Sequence, residues 1–257
     1  MSIKKLKYWV VQLAYTLFGY CYFLLLAFYM TLVGFFLLTL GGKSDVHKLR
    51  YHRILQKRAK FIVNNIPGSS FVYRNTPHED FENPSIIVCN HQSHIDLMGV
   101  IMLSPKLIIL TNDWVWRNPF YGIIIRYADY FPVSEEDKMR GNIEEMIKKG
   151  YSVVIFPEGT RSEDCHIQRF HKGAFYLAEQ LKLDIIPIFI DGFGELLPKH
   201  SYSLHPAKLL VEVLPRIYSS EIAKIGYRET TKKVREIYLN KYSLNNLNSG
   251  NCETLKV

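Results

Sequence analysis

From Tyr8 to Gly42 the chain carries no charged residue. As one α-helix, these 35 residues would be about 52 Å long at about 1.5 Å per residue, against a hydrocarbon core of about 30 Å. A straight crossing therefore needs strong tilt. Two short arms meeting near Gly19 or Gly34, a re-entrant hairpin and a helix lying in the membrane plane are the other ways to house the run. Lys4, Lys5 and Lys7 stand before it, and Lys43, Lys48, Arg50 and Arg53 after it. Cations on both flanks keep both ends on the cytoplasmic side. That favours a hairpin or an in-plane anchor over a simple crossing, and it sets the protein at the cytoplasmic face of the cell membrane. A cleaved signal peptide fits badly, because the run is too long and lacks a small-residue cleavage site.

Residues 46–64 follow. Leu49, Ile54, Leu55, Ala59, Phe61 and Ile62 recur at helical spacing, and Arg50, Arg53, Lys57, Arg58 and Lys60 fill most of the rest. This is the pattern of a basic amphipathic helix, able to lie in the headgroup layer with its cations toward anionic lipid. The net charge of +8 admits three partners: nucleic acid, an anionic membrane or an anionic substrate. No aromatic platform or nucleic-acid motif accompanies the charge. Next to a long apolar run, membrane lipid is the favoured partner and nucleic acid is not expected.

A turn cluster, Pro67-Gly-Ser-Ser70, marks a boundary. Beyond it, short apolar runs at 71–73, 85–89, 106–110, 130–133, 152–156, 184–190 and 208–214 alternate with helical patterns at 93–103, 113–127, 135–149 and 168–181. Alternation on this scale predicts an α/β fold, with a mostly parallel sheet flanked by helices. An N-terminal membrane-associated helical segment precedes it. The division is 1–66 for the anchor and basic helix, 67–242 for the α/β domain, whose last amphipathic helix covers 221–242, and 243–257 for a polar, disordered tail. The four cysteines, Cys21, Cys89, Cys165 and Cys252, show no pairing or C-x-x-C spacing and read as reduced thiols. No metal-ligand spacing is visible and no cofactor is expected.

The apolar run Ile86 to Cys89 stops at Asn90-His91, and Asp96 opens the next apolar pattern. This reads as strand, sharp turn and helix start, which puts His91 at the carboxyl end of a strand, where open α/β sheets hold ligands. The chain can fold back so that the Asp96 carboxylate reaches the imidazole. A histidine held in one tautomer by an aspartate is a general base for a hydroxyl that the substrate itself brings. Alone, such a pair is more often just two polar partners in a turn.

A second strand-and-turn stretch, Phe156-Pro-Glu-Gly-Thr-Arg-Ser162, begins 65 residues after His91. The order Asn-His-x-x-x-x-Asp, then Phe-Pro-Glu-Gly-Thr-Arg-Ser, resembles the glycerolipid acyltransferase family over roughly residues 70 to 215. The resemblance implies an O-acyltransferase that moves a fatty acyl group from acyl-CoA or acyl carrier protein to the free hydroxyl of a lyso-lipid. By default the acceptor is 1-acyl-sn-glycerol-3-phosphate and the product phosphatidate. His91 becomes the base, Asp96 its orienter, and Glu158, Gly159, Thr160 and Arg161 the acceptor site. Phe170-His-Lys-Gly-Ala-Phe175 resembles the family's Phe-x-Lys-Gly segment, in which Lys172 meets a phosphate of the acyl carrier or is a plain surface lysine.

Two departures stand against the default acceptor. Phosphatidate-forming members usually carry a Lys where this chain has Thr111-Asn112-Asp113, and an Arg where it has Ser134 followed by Glu135-Glu-Asp137. Loss of two cations implies an acceptor without a phosphomonoester, such as a monoacylated amino acid lipid, unless Arg161, Arg117 or Arg126 compensates. A non-catalytic lipid-binding protein and a hydrolase are the rivals from other classes. The first has no need of both His91 and Asp96. The second would favour a Gly-x-Ser-x-Gly elbow, which is absent from the sequence.

Overall fold

The computed structural model describes residues 3–249 except 43, 112, 119–121 and 133–135. Seven strands form one sheet: β1 (Ser70–Asn75), β2 (Ser85–Cys89), β3 (Leu107–Thr111), β4 (Phe131–Pro132), β5 (Ser152–Ile155), β6 (Asp184–Asp191) and β7 (Lys208–Val213). Their order is β1-β7-β6-β2-β5-β3-β4. Strands β6, β2, β5, β3 and β4 run parallel; β7 pairs antiparallel with β6, and β1 parallel with β7. The mostly parallel sheet is as the alternation predicts. Every residue of β2 is buried, and so is the middle of β6, which is why both read as unbroken apolar runs rather than alternating ones. Because β2 and β5 are direct neighbours, the two motif turns leave the same rim of the sheet side by side.

The helices are α1 (Ile3–Gly34), α2 (Asp45–Asn64), α3 (Asp96–Ile101), α4 (Asp113–Trp116), α5 (Gly122–Tyr127), α6 (Glu136–Lys148), α7 (Gly173–Leu181), α8 (Phe193–Leu196) and α9 (Ser219–Ser249). The pattern at 113–127 predicts one helix, but the structure has two short ones. Asn118 precedes a proline, which disfavours helical backbone at that point. In α2 the buried stripe is Tyr51, His52, Leu55, Ala59 and Val63, while Phe61 is exposed. Tyr51 and His52 thus face the core although their polar atoms hide them in an apolar count. The cations Arg50, Arg53, Lys57, Arg58 and Lys60 are all exposed, as expected.

No hairpin forms in the uncharged run. Helix α1 passes straight through Gly19, and a π-helical turn, Phe35–Leu40, continues it after Gly34. Both glycines are points of close approach. A Cβ on Gly19 would lie 2.3 Å from Leu204 Cδ1, and one on Gly34 would lie 2.3 Å from Tyr127 Cδ2. Near Gly19, Gln12 donates to the Leu204 carbonyl and Thr16 Oγ1 accepts the Leu204 N–H at 3.2 Å. At the other end the Thr39 and Tyr127 hydroxyls lie 3.1 Å apart. The helix is thus fastened to the α/β domain at points 27 residues apart, about 40 Å at about 1.5 Å per residue. Its far side exposes Trp9, Leu13, Leu17, Leu25, Phe28 and Phe36. The stretch Trp9–Leu40 is long and apolar enough to cross a membrane.

Helix α9 bends at Gly226, whose φ of 78° suits only glycine. It then runs on past Tyr242 to Ser249, through residues 243–249 of the expected disordered tail. Burial of Tyr242 and the bond from Asn245 Nδ2 to Asp191 Oδ2 anchor that extension. Of the expected tail, residues 250–257 lie outside the described residues.

Candidate active site

Strand β2 ends at Cys89, and the buried Asn90 side chain replaces the next rung of the ladder. Its Nδ2 donates to the Ile190 carbonyl and its Oδ1 accepts the Ile190 N–H, both at 2.9 Å. The Asn90 backbone is thereby freed to turn, and His91 lands at the rim. His91 Nδ1 lies 2.8 Å from Asp96 Oδ2. The same oxygen accepts the backbone N–H groups of Gln92 at 2.6 Å and Ser93 at 2.8 Å. An oxygen already accepting two N–H groups acts as acceptor to the ring as well, so Nδ1 carries the proton of the neutral imidazole and Nε2 holds the free lone pair. Asp96 is wholly buried. Burial raises its pKa, against the lowering effect of the His91 and backbone bonds.

The second motif supports His91 from the neighbouring strand. The Phe156 ring packs on the imidazole, the Ser162 N–H donates to the His91 carbonyl at 2.7 Å, and Glu158 Oε1 accepts the His91 N–H at 3.2 Å. The turn itself is closed by Gly159 N–H to Phe156 O at 3.1 Å and His171 N–H to Pro157 O at 2.7 Å. Gly159 sits at φ 70°, in the left-handed region that glycine enters without a Cβ penalty.

Of the expected acceptor residues, Gly159 and Thr160 are exposed at the rim and Arg161 is half-buried. Arg161 is close enough to His94 to act on its charge. The His94 pKa is held down to about 4, chiefly by desolvation and then by the charges of Arg161 and His91. His94 keeps a solvent-exposed surface at the rim. Glu158 departs from its expected place. It is 3% exposed and lies beneath the turn. Desolvation, with a smaller push from Asp96, raises its pKa to about 8, against the backbone bonds from His91 and Gln168 and the Arg235 charge. Lys172 is exposed at the start of α7, beside His171.

Several supports carry no signal in the sequence. From α9, Tyr238 Oη reaches the carbonyls of Val88 at 2.7 Å and Ile188 at 3.0 Å, clamping β2 to β6 beneath the site. Arg235 Nε donates to the Gln168 carbonyl at 3.0 Å. Gln92 Nε2 reaches the Cys165 carbonyl and Asp191 Oδ1. A tyrosine at an apolar position of an amphipathic helix looks like core, and here only its hydroxyl says otherwise.

Asn112 and Ser134, the two positions where cations are expected, lie outside the described residues. Of the two possible substitutes, Arg126 donates to the Trp116 carbonyl at 3.1 Å and stacks on the Trp116 ring, while Arg117 is exposed. Among the described residues no group of three or more His, Cys, Asp or Glu side chains is gathered to hold a metal, and Cys21, Cys89 and Cys165 form no disulfide.

Residues 65–191 match the protein-family model described as Acyltransferase. The matched stretch holds both motifs, in line with the resemblance that they carry. The chain is 28% identical over 205 residues to the chloroplastic 1-acyl-sn-glycerol-3-phosphate acyltransferase LPAT1 of Arabidopsis thaliana, covering 75% of this chain and 55% of the relative. It is 29% identical over 161 residues to the human 1-acyl-sn-glycerol-3-phosphate acyltransferase beta, covering 60% and 58%. The chain thus spans little more than half the length of these curated relatives. Its fold matches the crystal structure of the 1-acyl-sn-glycerophosphate acyltransferase PlsC from Thermotoga maritima with a TM-score of 0.76, covering 96% of this chain and 98% of that one at 20% identity.

Proposed function

We propose that this protein is a membrane-bound O-acyltransferase that moves a fatty acyl group from a thioester donor to the free hydroxyl of a lyso-lipid, with 1-acyl-sn-glycerol-3-phosphate as the acceptor. The observation that carries the reading is the His91–Asp96 pair, with Nε2 free, on the strand next to the one that presents Arg161. The names of the relatives support the acceptor.

The acceptor hydroxyl gives its proton to His91 Nε2 as its oxygen attacks the thioester carbonyl. Asp96 stabilises the imidazolium that forms. The tetrahedral oxyanion collapses, the C–S bond breaks, and the thiol leaves with the proton returned by the imidazolium. A positioned base accounts for about 10²–10⁴-fold of the rate. The Gly159 N–H is committed to Phe156, so the oxyanion donor from this turn is the N–H of Thr160 or Arg161. The planar guanidinium of Arg161 suits the acceptor phosphate. Acyl-CoA or acyl carrier protein supplies the thioester, and the exposed Lys172 is available to a phosphate of either carrier. Helix α1 lies in the membrane plane, since fastening at both ends to one domain leaves it no room to cross. Its exposed apolar side enters lipid and holds the site at the cytoplasmic face.

The test is transfer of labelled acyl groups from acyl-CoA and acyl carrier protein by the detergent-solubilised protein. Lysophosphatidate and monoacylated amino acid lipids are offered side by side. Wild type makes phosphatidate, and His91→Ala makes none while still binding vesicles. Wild-type rates in the Ala variant would end this mechanism. Product only from the amino acid lipids would mean that the absent cations define a different headgroup pocket.

A further inference from the structure

We propose that Glu158 is a positioning residue for the base, gripping His91 by its backbone from beneath the turn, and that it makes no contact with the acceptor. This rests on the acyltransferase reading of His91 and gives the motif's glutamate a different task from its neighbours Thr160 and Arg161.

Three observations converge. The Glu158 side chain is 3% exposed, whereas Gly159 and Thr160 face solvent. Its Oε1 accepts the His91 N–H at 3.2 Å, and the next turn returns a bond from Ser162 N–H to the His91 carbonyl at 2.7 Å. Both peptide groups flanking the His91 Cα are thereby held by the second motif, while Asp96 and Phe156 hold its ring. The imidazole is fixed at both ends, so Nε2 points one way.

The charges agree. Glu158 is faced by His91 and Asp96 from the turn and α3, by Cys89 from β2, and by Arg235 and Tyr238 from α9. Asp96 Oδ1 and Glu158 Oε2 are both buried without a hydrogen-bond partner. Two neighbouring buried carboxyls do not both ionise cheaply. Three N–H donors, the imidazole among them, meet on Asp96 Oδ2. Glu158 Oε1 receives the backbone N–H of His91, and Gln168 adds only a weaker backbone pull. The proton therefore belongs to Glu158 and the negative charge to Asp96. A neutral acid beneath the turn leaves Asp96 as the single anion coupled to the base.

The experiment compares E158A and E158Q with wild type for acceptor KM, kcat, the pH profile of kcat/KM, and amide hydrogen exchange of the Asn90–Asp96 segment. E158A loses kcat by about 10²-fold, the usual effect of a displaced reacting group. Its acceptor KM stays within about two-fold, and exchange at the His91 amide is faster. E158Q keeps a carbonyl acceptor and cannot ionise. It restores most of kcat and the slow exchange, and it removes the wild-type inflection near pH 8. A roughly tenfold rise in acceptor KM for E158Q, with kcat and exchange as in wild type, would make Glu158 an acceptor contact and overturn the proposal. If E158A does not fold, the E158Q comparison still decides between the two. If wild type transfers to no acceptor, the acyltransferase reading fails. Exchange then decides alone: lost protection in E158A and kept protection in E158Q support the grip, and equal protection in all three overturns it.

Discussion

The Phe156 ring lies over the His91 imidazole, with centroids 4.3 Å apart and planes 30° apart. This contact ties the two motifs together where β2 and β5 end side by side. An aromatic pair contributes about 0.5–1.5 kcal/mol beyond its buried area, and here that energy restricts the tilt of the imidazole, the proposed base. Phe156→Leu keeps the apolar bulk and frees the ring. The expected result is a fall in kcat of about 3–10-fold with little change in acceptor KM, read from steady-state kinetics. An unchanged kcat would mean that Asp96 and the backbone bonds hold the ring unaided.

Asp96→Asn tests the charge. The oxygen facing Nδ1 also accepts the Gln92 and Ser93 N–H groups, so an asparagine turns its carbonyl oxygen to the same three donors, keeps the tautomer and removes the anion that would stabilise the imidazolium. The expected loss of kcat is about 10–100-fold, the worth of a charge-assisted hydrogen bond of about 1.5–3 kcal/mol, with vesicle binding intact. A loss below about tenfold would show that Asp96 only shapes the turn through the Gln92 and Ser93 N–H groups.

Much of this was legible in the sequence. All seven strands overlap the seven apolar runs, and the buried parallel strands at the centre, β2, β5 and β3, are written in consecutive Ile, Val and Leu. The closure of Asp96 on His91 followed from a spacing that folds back through one turn. Other features were hidden for physical reasons. Gly19 and Gly34 looked like hinges, because close approach and flexibility both select glycine, and only Leu204 and Tyr127 packing on them tells the two apart. Glu158 looked like a ligand, because a glutamate beside an exposed Thr and Arg carries no mark of being turned inward. The grip of Tyr238 on Val88 and Ile188 joins residues 150 and 50 positions apart, and no local pattern reports such a contact.

Glu158 also makes stability depend on pH. Its folded pKa of about 8 lies above its ordinary value of 4.5. Between those values the unfolded chain has released the proton and the folded chain has kept it. Stability is therefore fully present below the lower value and falls as pH rises toward the upper one, with a slope of at most about 1.4 kcal/mol per pH unit. Melting temperatures in detergent between pH 5 and 8 should fall more steeply for wild type than for E158Q. Parallel curves would mean that Glu158 is ionised in the folded protein.

In the proposed membrane attachment, the exposed cations of α2 and the apolar side of α1 would divide the work. Arg53, Lys57 and Lys60 all face solvent on α2. A cation near an anionic surface contributes about 1 kcal/mol and is screened by salt. The triple substitution R53Q/K57Q/K60Q removes about 3 kcal/mol, so binding to vesicles rich in anionic lipid at low salt should weaken by about a hundredfold. Binding to neutral vesicles should hardly change, because Leu25, Phe28 and their neighbours on α1 still bury in lipid. Vesicle co-sedimentation across a salt series separates the two contributions. Equal losses on neutral and anionic vesicles would mean that these cations hold the fold of α2 rather than the membrane. A salt-independent loss on anionic vesicles alone would point to one bound headgroup in place of a diffuse field.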